Sequence, residues 1–204
     1  MSSQILGLKI STSGKCIKQP ALLVANHISW LDIVVIGSQC PTAFLSKSEV
    51  GNWPLIGYLA KTSGTLFVKR DSKKNVRETR EKIESTISDG RSVVVFPEGT
   101  TTNGQSIKPF KSSFYQSAIE SGVAVQAIAL NYPTTDDGSL SHAPFIDDDA
   151  FFTHLIKVLK EPKTEVKAIF CCPLRNRQQY SRKDLADITY QQINSVNNWS
   201  LALS

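Results

Sequence analysis

Short apolar runs alternate with stretches of helical periodicity along most of this chain. ALLVA at 21–25, TAFLS at 42–46, TLFVK at 65–69, SVVVF at 92–96, VAVQAIAL at 123–130 and TEVKAIFC at 164–171 read as strands. Between them the period shifts to that of a helix. One helix opens at Ser29 and runs through Ile33, Val34, Val35 and Ile36, and a short one starts at Pro54. A longer one spans about 72–89, carries Val76, Ile83 and Ile87 on one face and stops at Gly90. Phe110, Phe114 and Ala118 recur at intervals of four before Gly122. Asp149 caps a helix through Phe152, Leu155, Ile156 and Leu159, and a closing helix from Ser181 buries Leu185, Ile188 and Val196. The alternation predicts an α/β fold, with a mixed, mostly parallel central sheet flanked by helices. SVVVF, a continuous apolar run, predicts a central strand buried on both faces. Residues 131–148, with Pro133, Gly138, Pro144 and several aspartates, predict a surface loop.

No repeat or domain boundary interrupts this pattern. The 204 residues therefore predict one domain, a motif-bearing core over about 20–135 with the helix, strand and helix of 149–198 packed on it. A composition of 41% hydrophobic and 20% charged residues excludes a disordered chain. Cys16, Cys40, Cys171 and Cys172 form no CxxC and have no accompanying histidine spacing, so reduced thiols are expected rather than a zinc site or a disulfide framework. No run approaches the roughly 18–20 apolar residues of a membrane helix, and the N-terminus lacks a signal-peptide core, which predicts a soluble or peripheral chain. The net charge of +5 favours anionic partners, whether nucleic acid, phospholipid headgroups or a phosphorylated substrate. No nucleic-acid motif accompanies it. Lys73, Lys74, Arg77, Arg80 and Lys82, interspersed with Glu78, Glu81 and Glu84, read as a solvated helix face with intrahelical pairs. Lys69 and Arg70 differ, because they end an apolar strand. Trp53, Leu55, Ile56 and Tyr58 fit either a membrane-facing patch or the core.

The first candidate for chemistry is NHISWLD at 26–32, in which His27 is one of three histidines in the chain. Imidazole is the side chain best suited to take a proton near neutral pH, and a nearby carboxylate fixes its tautomer. Asp32 has a second reading. Ser29 and Asp32 form an S-x-x-D capping box, so Asp32 also serves simply to satisfy a helix terminus. Five residues of unbroken helix turn through roughly 500°, which separates the two side chains, so the pair meets only if His27 precedes the helix. The second candidate is FPEGTTTNG at 96–104. Pro97 stops sheet pairing, Gly99 permits a turn, and Glu98 is displayed at a strand's end, where open α/β sheets bind ligands. A plain turn with an exposed glutamate fits the same residues.

NHISWLD, GTLFVKR at 64–70, FPEGT at 96–100 and VQAIAL at 125–130, in this order, resemble the four blocks of the glycerolipid acyltransferase family, the 1-acylglycerol-3-phosphate acyltransferase-like enzymes. The resemblance implies a single acyltransferase domain that moves a fatty acyl group from acyl-CoA or acyl-carrier protein to the hydroxyl of a lysolipid, with no cofactor beyond that co-substrate and no metal. It implies His27 as general base, oriented by Asp32, with the substrate supplying the nucleophile. It also implies acceptor binding by Lys69, Arg70, Glu98, Gly99 and Thr100, with further headgroup contacts at Thr101, Lys108 and Lys111. Thr101 stands where the family commonly has arginine, and Gln126 and Ala127 stand where it has prolines. FPEGTTTNG is more similar to branches that acylate lysophospholipids or lyso-ornithine lipid, while lysophosphatidic acid stays among the acceptors because a phosphate has Arg70, Lys108 and Lys111 to pair with. The implied location is peripheral, on an anionic membrane surface at the cytoplasmic face. Two other classes of function use the same residues differently: a thioesterase activating water with His27 and Asp32, and a non-catalytic lipid-binding module.

Overall fold

The computed structural model describes residues 4–5, 7–48, 65–68, 73–133, 142–146, 151–161, 163–175 and 179–199. The strands are β1 (Gln4–Ile5), β2 (Leu8–Ser13), β3 (Ala21–Ala25), β4 (Thr42–Lys47), β5 (Leu66–Val68), β6 (Ser92–Val95), β7 (Ala124–Asn131) and β8 (Thr164–Phe170). They form one sheet in the order β1-β2-β8-β7-β3-β6-β4-β5. β1 with β2 and β7 with β8 run antiparallel, and the other neighbours run parallel, which is the mixed, mostly parallel sheet expected. The six predicted strands are all present. β1 and β2 were not predicted, because LKISTS carries only Leu8 and Ile10 as apolar positions and gains its pairing from β8, more than 150 residues along the chain.

β3, β6 and β7 are buried along nearly their whole length, so they read as continuous apolar runs. Side chains alternate between the two faces, and each face has its own core. Leu23, Ala25, Val94, Ile128 and Leu130 pack beneath α1 (Leu31–Gln39) and α4 (Phe151–Lys160). Leu22, Val24, Val93, Val95, Val125 and Ala127 pack beneath α2 (Lys73–Ser88), α3 (Tyr115–Glu120) and α5 (Arg182–Trp199). The expected helix around Phe110 to Gly122 is a 3₁₀ turn at Ser112–Phe114 leading into the short α3. On α2, Arg77 pairs with Glu81 at 2.7 Å and Arg80 approaches Glu84 at 3.4 Å, the solvated pairs expected there.

Four expectations need adjustment. α1 begins at Leu31 rather than Ser29, because the N–H groups of Ile28 and Ser29 turn back to the Asp32 carboxylate before the helical ladder starts. Cys16 and Cys40, expected as reduced thiols, form a disulfide that ties the segment before β3 to the C-terminus of α1, with a Cα separation of 6.1 Å. Their 24-residue spacing carries no motif, and the fold alone brings them together. The segment expected as a surface loop includes the fully buried Ala143. On α4 the residues turned inward are Phe151, His154 and Val158, while Phe152, Ile156 and Leu159 remain more than half exposed. The short helix from Pro54, with Trp53, Leu55, Ile56 and Tyr58, and the cap at Asp149 lie outside the described residues.

Candidate active site

β7, β3 and β6 are parallel neighbours, so their C-terminal ends lie along one edge of the sheet. β3 delivers His27, β6 delivers Phe96 and Glu98, and β7 delivers Tyr132. Asn26 fastens two of these ends: its amide donates to the Leu130 carbonyl at 2.9 Å and accepts from the Leu130 N–H at 2.8 Å. The chain then leaves the sheet as a short loop, which places His27 ahead of α1 as the spacing argument requires.

Asp32, in the first turn of α1, is fully buried and receives four donors. Its Oδ2 lies 2.8 Å from His27 Nδ1 and accepts the N–H groups of Ile28 at 2.7 Å and Ser29 at 2.9 Å. Its Oδ1 accepts the Tyr132 hydroxyl at 2.8 Å. The two readings of Asp32 therefore coexist: the carboxylate satisfies the backbone at the head of α1 and holds the histidine. Four donors offset the cost of burying this group, and they fix its position. Burial, followed by the adjacent Asp32 charge, holds the Tyr132 phenol well above its ordinary range, so it stays a donor. The His27 ring is stacked on Phe96 with centroids 3.9 Å apart and planes inclined by 14°. Its side chain is 19% exposed, whereas that of Asp32 is 0%. A histidine held through Nδ1 in this way carries its basic lone pair on Nε2.

Glu98, read as displayed at a strand's end or as an exposed turn residue, is 4% exposed. Its Oε1 accepts the His27 N–H and its Oε2 accepts the Lys108 N–H, each at 2.8 Å. Burial pushes its carboxyl above the usual range, while these two N–H groups pull the other way. Glu98 thus joins the histidine loop to the loop that runs from Pro97 to Lys111. Thr102 adds to the same junction through its N–H, which donates to the His27 carbonyl at 2.9 Å. Gly99 adopts φ +80°, and a Cβ there would come within 2.5 Å of Lys111 Nζ.

The structure brings His27, Asp32 and Glu98 together. Thr100, Lys108 and Lys111 are exposed on the adjoining loop, and Thr101 is half-buried. Lys111 also borders a cavity of about 120 Å³ between α2 and α3, lined by Arg80, Ile83 and Phe114. Lys69 and Arg70 lie outside the described residues. Among the described residues no group of three or more His, Cys, Asp or Glu is arranged to hold a metal ion, and no helix is long and apolar enough to cross a membrane. Sequence reasoning missed Tyr132 and Phe96 as parts of the site. Both signals were positional: they are the first residues past strands that flank β3.

Residues 8–131 match the Acyltransferase family. The chain belongs to that family. It is 40% identical over 188 residues to a lyso-ornithine lipid O-acyltransferase from Pseudomonas aeruginosa, covering 92% of this chain and 72% of the relative. It is 30% identical over 191 residues to the 1-acyl-sn-glycerol-3-phosphate acyltransferase of Neisseria gonorrhoeae, covering 94% and 74%. The crystal structure of the 1-acyl-sn-glycerophosphate (LPA) acyltransferase PlsC from Thermotoga maritima shares the fold, with a TM-score of 0.66 at 21% identity over 93% of this chain and 70% of that one. This protein is therefore an acyltransferase, as the resemblance of its four blocks implied. The matched span of this acyltransferase contains His27, Asp32 and Glu98 and ends one residue before Tyr132.

Proposed function

We propose that this acyltransferase moves a fatty acyl group from an acyl thioester, acyl-CoA or acyl-carrier protein, to the hydroxyl of a lysolipid, with His27 as general base and Asp32 as its orienting carboxylate. The observation that carries this reading is the 2.8 Å contact between His27 Nδ1 and an Asp32 carboxylate that is buried and held by three further donors. Nδ1–H donates to Asp32, and Nε2 takes the proton of the acceptor hydroxyl as its oxygen attacks the thioester carbonyl. The new C–O bond forms in a tetrahedral intermediate, which collapses by breaking the C–S bond. The departing sulfur recovers the proton from the imidazolium, so no acyl-enzyme is needed. Asp32 supplies the negative charge beside that imidazolium without moving, and Phe96 limits rotation of the ring. General-base help of this kind contributes roughly 10²–10⁴ in rate, and the remainder comes from positioning and from donors at the oxyanion.

On the acceptor side, Gly99 and Thr100 shape the pocket, Lys69 and Arg70 hold the headgroup, and Thr101, Lys108 and Lys111 add contacts along the same loop. Glu98 acts through the His27 and Lys108 backbone that it holds. Thr101 removes the bidentate phosphate clamp that an arginine would provide. An amino-acid headgroup without phosphate does not need that clamp, and relatives at 40% and 35% identity are named for lyso-ornithine lipid. Lyso-ornithine lipid is therefore the acceptor placed first, ahead of lysophospholipids and lysophosphatidic acid. The working location is peripheral, on the cytoplasmic face of an anionic membrane. The test is a panel of these lysolipids with each thioester donor, read by mass analysis of the products. A diacylated product that depends on both substrates is expected. Thiol release that proceeds equally well without any acceptor would make the protein a thioesterase and sink the reading.

A further inference from the structure

Helix α4, FFTHLIKVLK, is amphipathic in an unexpected sense. Phe151, His154 and Val158 face the core, while Phe152, Ile156 and Leu159 are 56%, 51% and 54% exposed. At about 100° per residue, the three exposed residues fall within a stripe roughly 60° wide, centred about 130° around the helix from the three buried ones. Leu155 lies between the two sets and packs against the core, so the apolar arc of α4 is wider than the core covers and its outer part stays in solvent. Among the described residues, the only other large apolar side chain left so exposed is Val76 on α2. Lys160 borders the stripe about 40° beyond Ile156 and Lys157 lies about 60° farther round on the same side, both exposed, and residues 151–160 include no acidic side chain.

We propose that this outer face of α4 docks the acyltransferase on an anionic lipid bilayer, with Phe152, Ile156 and Leu159 entering the headgroup boundary and Lys157 and Lys160 meeting lipid phosphates. The inference rests on the reading that the acceptor is a membrane lipid. An apolar stripe beside lysines is the pattern of a helix lying in the plane of a bilayer, and the net charge of +5 adds long-range attraction to the same surface. A second copy of the chain offers no carboxylate from residues 151–160 to meet these lysines, whereas anionic lipid does.

The position of α4 gives docking a consequence for catalysis. Trp30, within NHISWLD, donates from Nε1 to His154 Nδ1 at 3.1 Å and packs edge-on against Phe151. His154 Nε2–H donates to the Pro144 carbonyl at 2.9 Å, and the next residue, Phe145, donates its N–H to Ile28 at 3.0 Å. Both ring nitrogens of His154 are therefore occupied, and this buried histidine bolts α4 to the loop that presents His27. A bilayer that seats α4 fixes the orientation of the histidine loop relative to the lipid surface.

The test is co-sedimentation of the 204-residue chain with phosphatidylcholine vesicles, with and without phosphatidylglycerol. Combining Phe152→Ser, Ile156→Ser and Leu159→Ser is expected to lower partitioning by about tenfold or more, and Lys157→Gln with Lys160→Gln by several-fold on phosphatidylglycerol vesicles alone. Transfer to a short-chain lysolipid dissolved as monomer should be unchanged in both variants, while transfer to vesicle-embedded acceptor falls. A serine variant with wild-type thermal stability that pellets like wild type overturns the proposal. So does one that converts a dimer to a monomer while vesicle binding persists. If the serine variant does not fold, the lysine pair decides alone, and equal binding to both vesicle types by that pair and by wild type overturns the proposal. Sedimentation needs no turnover, so a chain that binds vesicles through α4 yet acylates no acceptor contradicts the proposed function and leaves the docking surface standing.

Discussion

Two carboxylate clusters flank the sheet of this acyltransferase, and they behave oppositely. At the head of α1, Asp32 is fully buried and takes four donors, and Glu98 is 4% exposed and takes two backbone N–H groups. Between α2 and α3, Glu84 and Glu120 share Arg80 at 3.4 and 3.3 Å while all three remain partly in solvent. Partial burial, the hydrogen bond with Glu120 and that neighbour's charge push the Glu84 carboxyl up to about 7. The first cluster has donors enough to fix its geometry, which a base awaiting a hydroxyl requires. The second has too few, and its carboxylates stay partly in solvent.

Asp32→Asn breaks the first cluster most severely. The amide keeps its oxygen for the three N–H donors and turns its NH₂ to the Tyr132 hydroxyl, so the negative charge beside the imidazolium is lost. Acyl transfer should fall by about 10²–10⁴, with roughly 1–3 kcal/mol lost from urea-unfolding stability. Glu98→Gln places an NH₂ against one backbone N–H of the junction. A loss of about 1–3 kcal/mol and a fall of about tenfold in kcat are expected from the displaced His27 loop. Wild-type kinetics in this variant would show that the junction does not position the histidine.

Tyr132→Phe removes a single donor from Asp32, so the rate should fall only several-fold. An unchanged rate would detach Tyr132 from the site. The smallest effect belongs to the second cluster. Because the folded-state pKa of Glu84 is raised from 4.5 to about 7, its stabilising effect is complete below pH 4.5 and is lost as pH rises through about 7. Solvent exposure of both partners keeps the effect small. Glu84→Gln should flatten the thermal stability across that window and leave kcat alone.

The elements were legible wherever local sequence carries the physics. ALLVA, SVVVF and VAVQAIAL became β3, β6 and β7 because strands covered on both faces need unbroken apolar runs. The histidine and aspartate were legible because their contact spans five residues. The junction was not: Glu98 reaches His27 across 71 residues and Tyr132 reaches Asp32 across 100, so pairing in the sheet supplies what no local pattern encodes. Glu98 read as displayed because a glutamate after a strand ordinarily is, and only two well-placed N–H groups permit its burial. Of the stripe expected to be buried on α4, Leu155 packs against the core while Phe152, Ile156 and Leu159 turned outward, because periodicity locates a stripe without saying how much of it is covered.

The central claim is that His27 takes the proton of a lysolipid hydroxyl. It is tested most directly by thiol release from an acyl thioester, with and without lyso-ornithine lipid, in wild type and His27→Ala. The account predicts acceptor-dependent release in wild type, matched mole for mole by acylated product. It predicts a loss of about 10²–10⁴ or more in the variant, whose thermal stability stays near wild type because the ring is partly exposed. A folded His27→Ala protein that transfers acyl groups at the wild-type rate would contradict it.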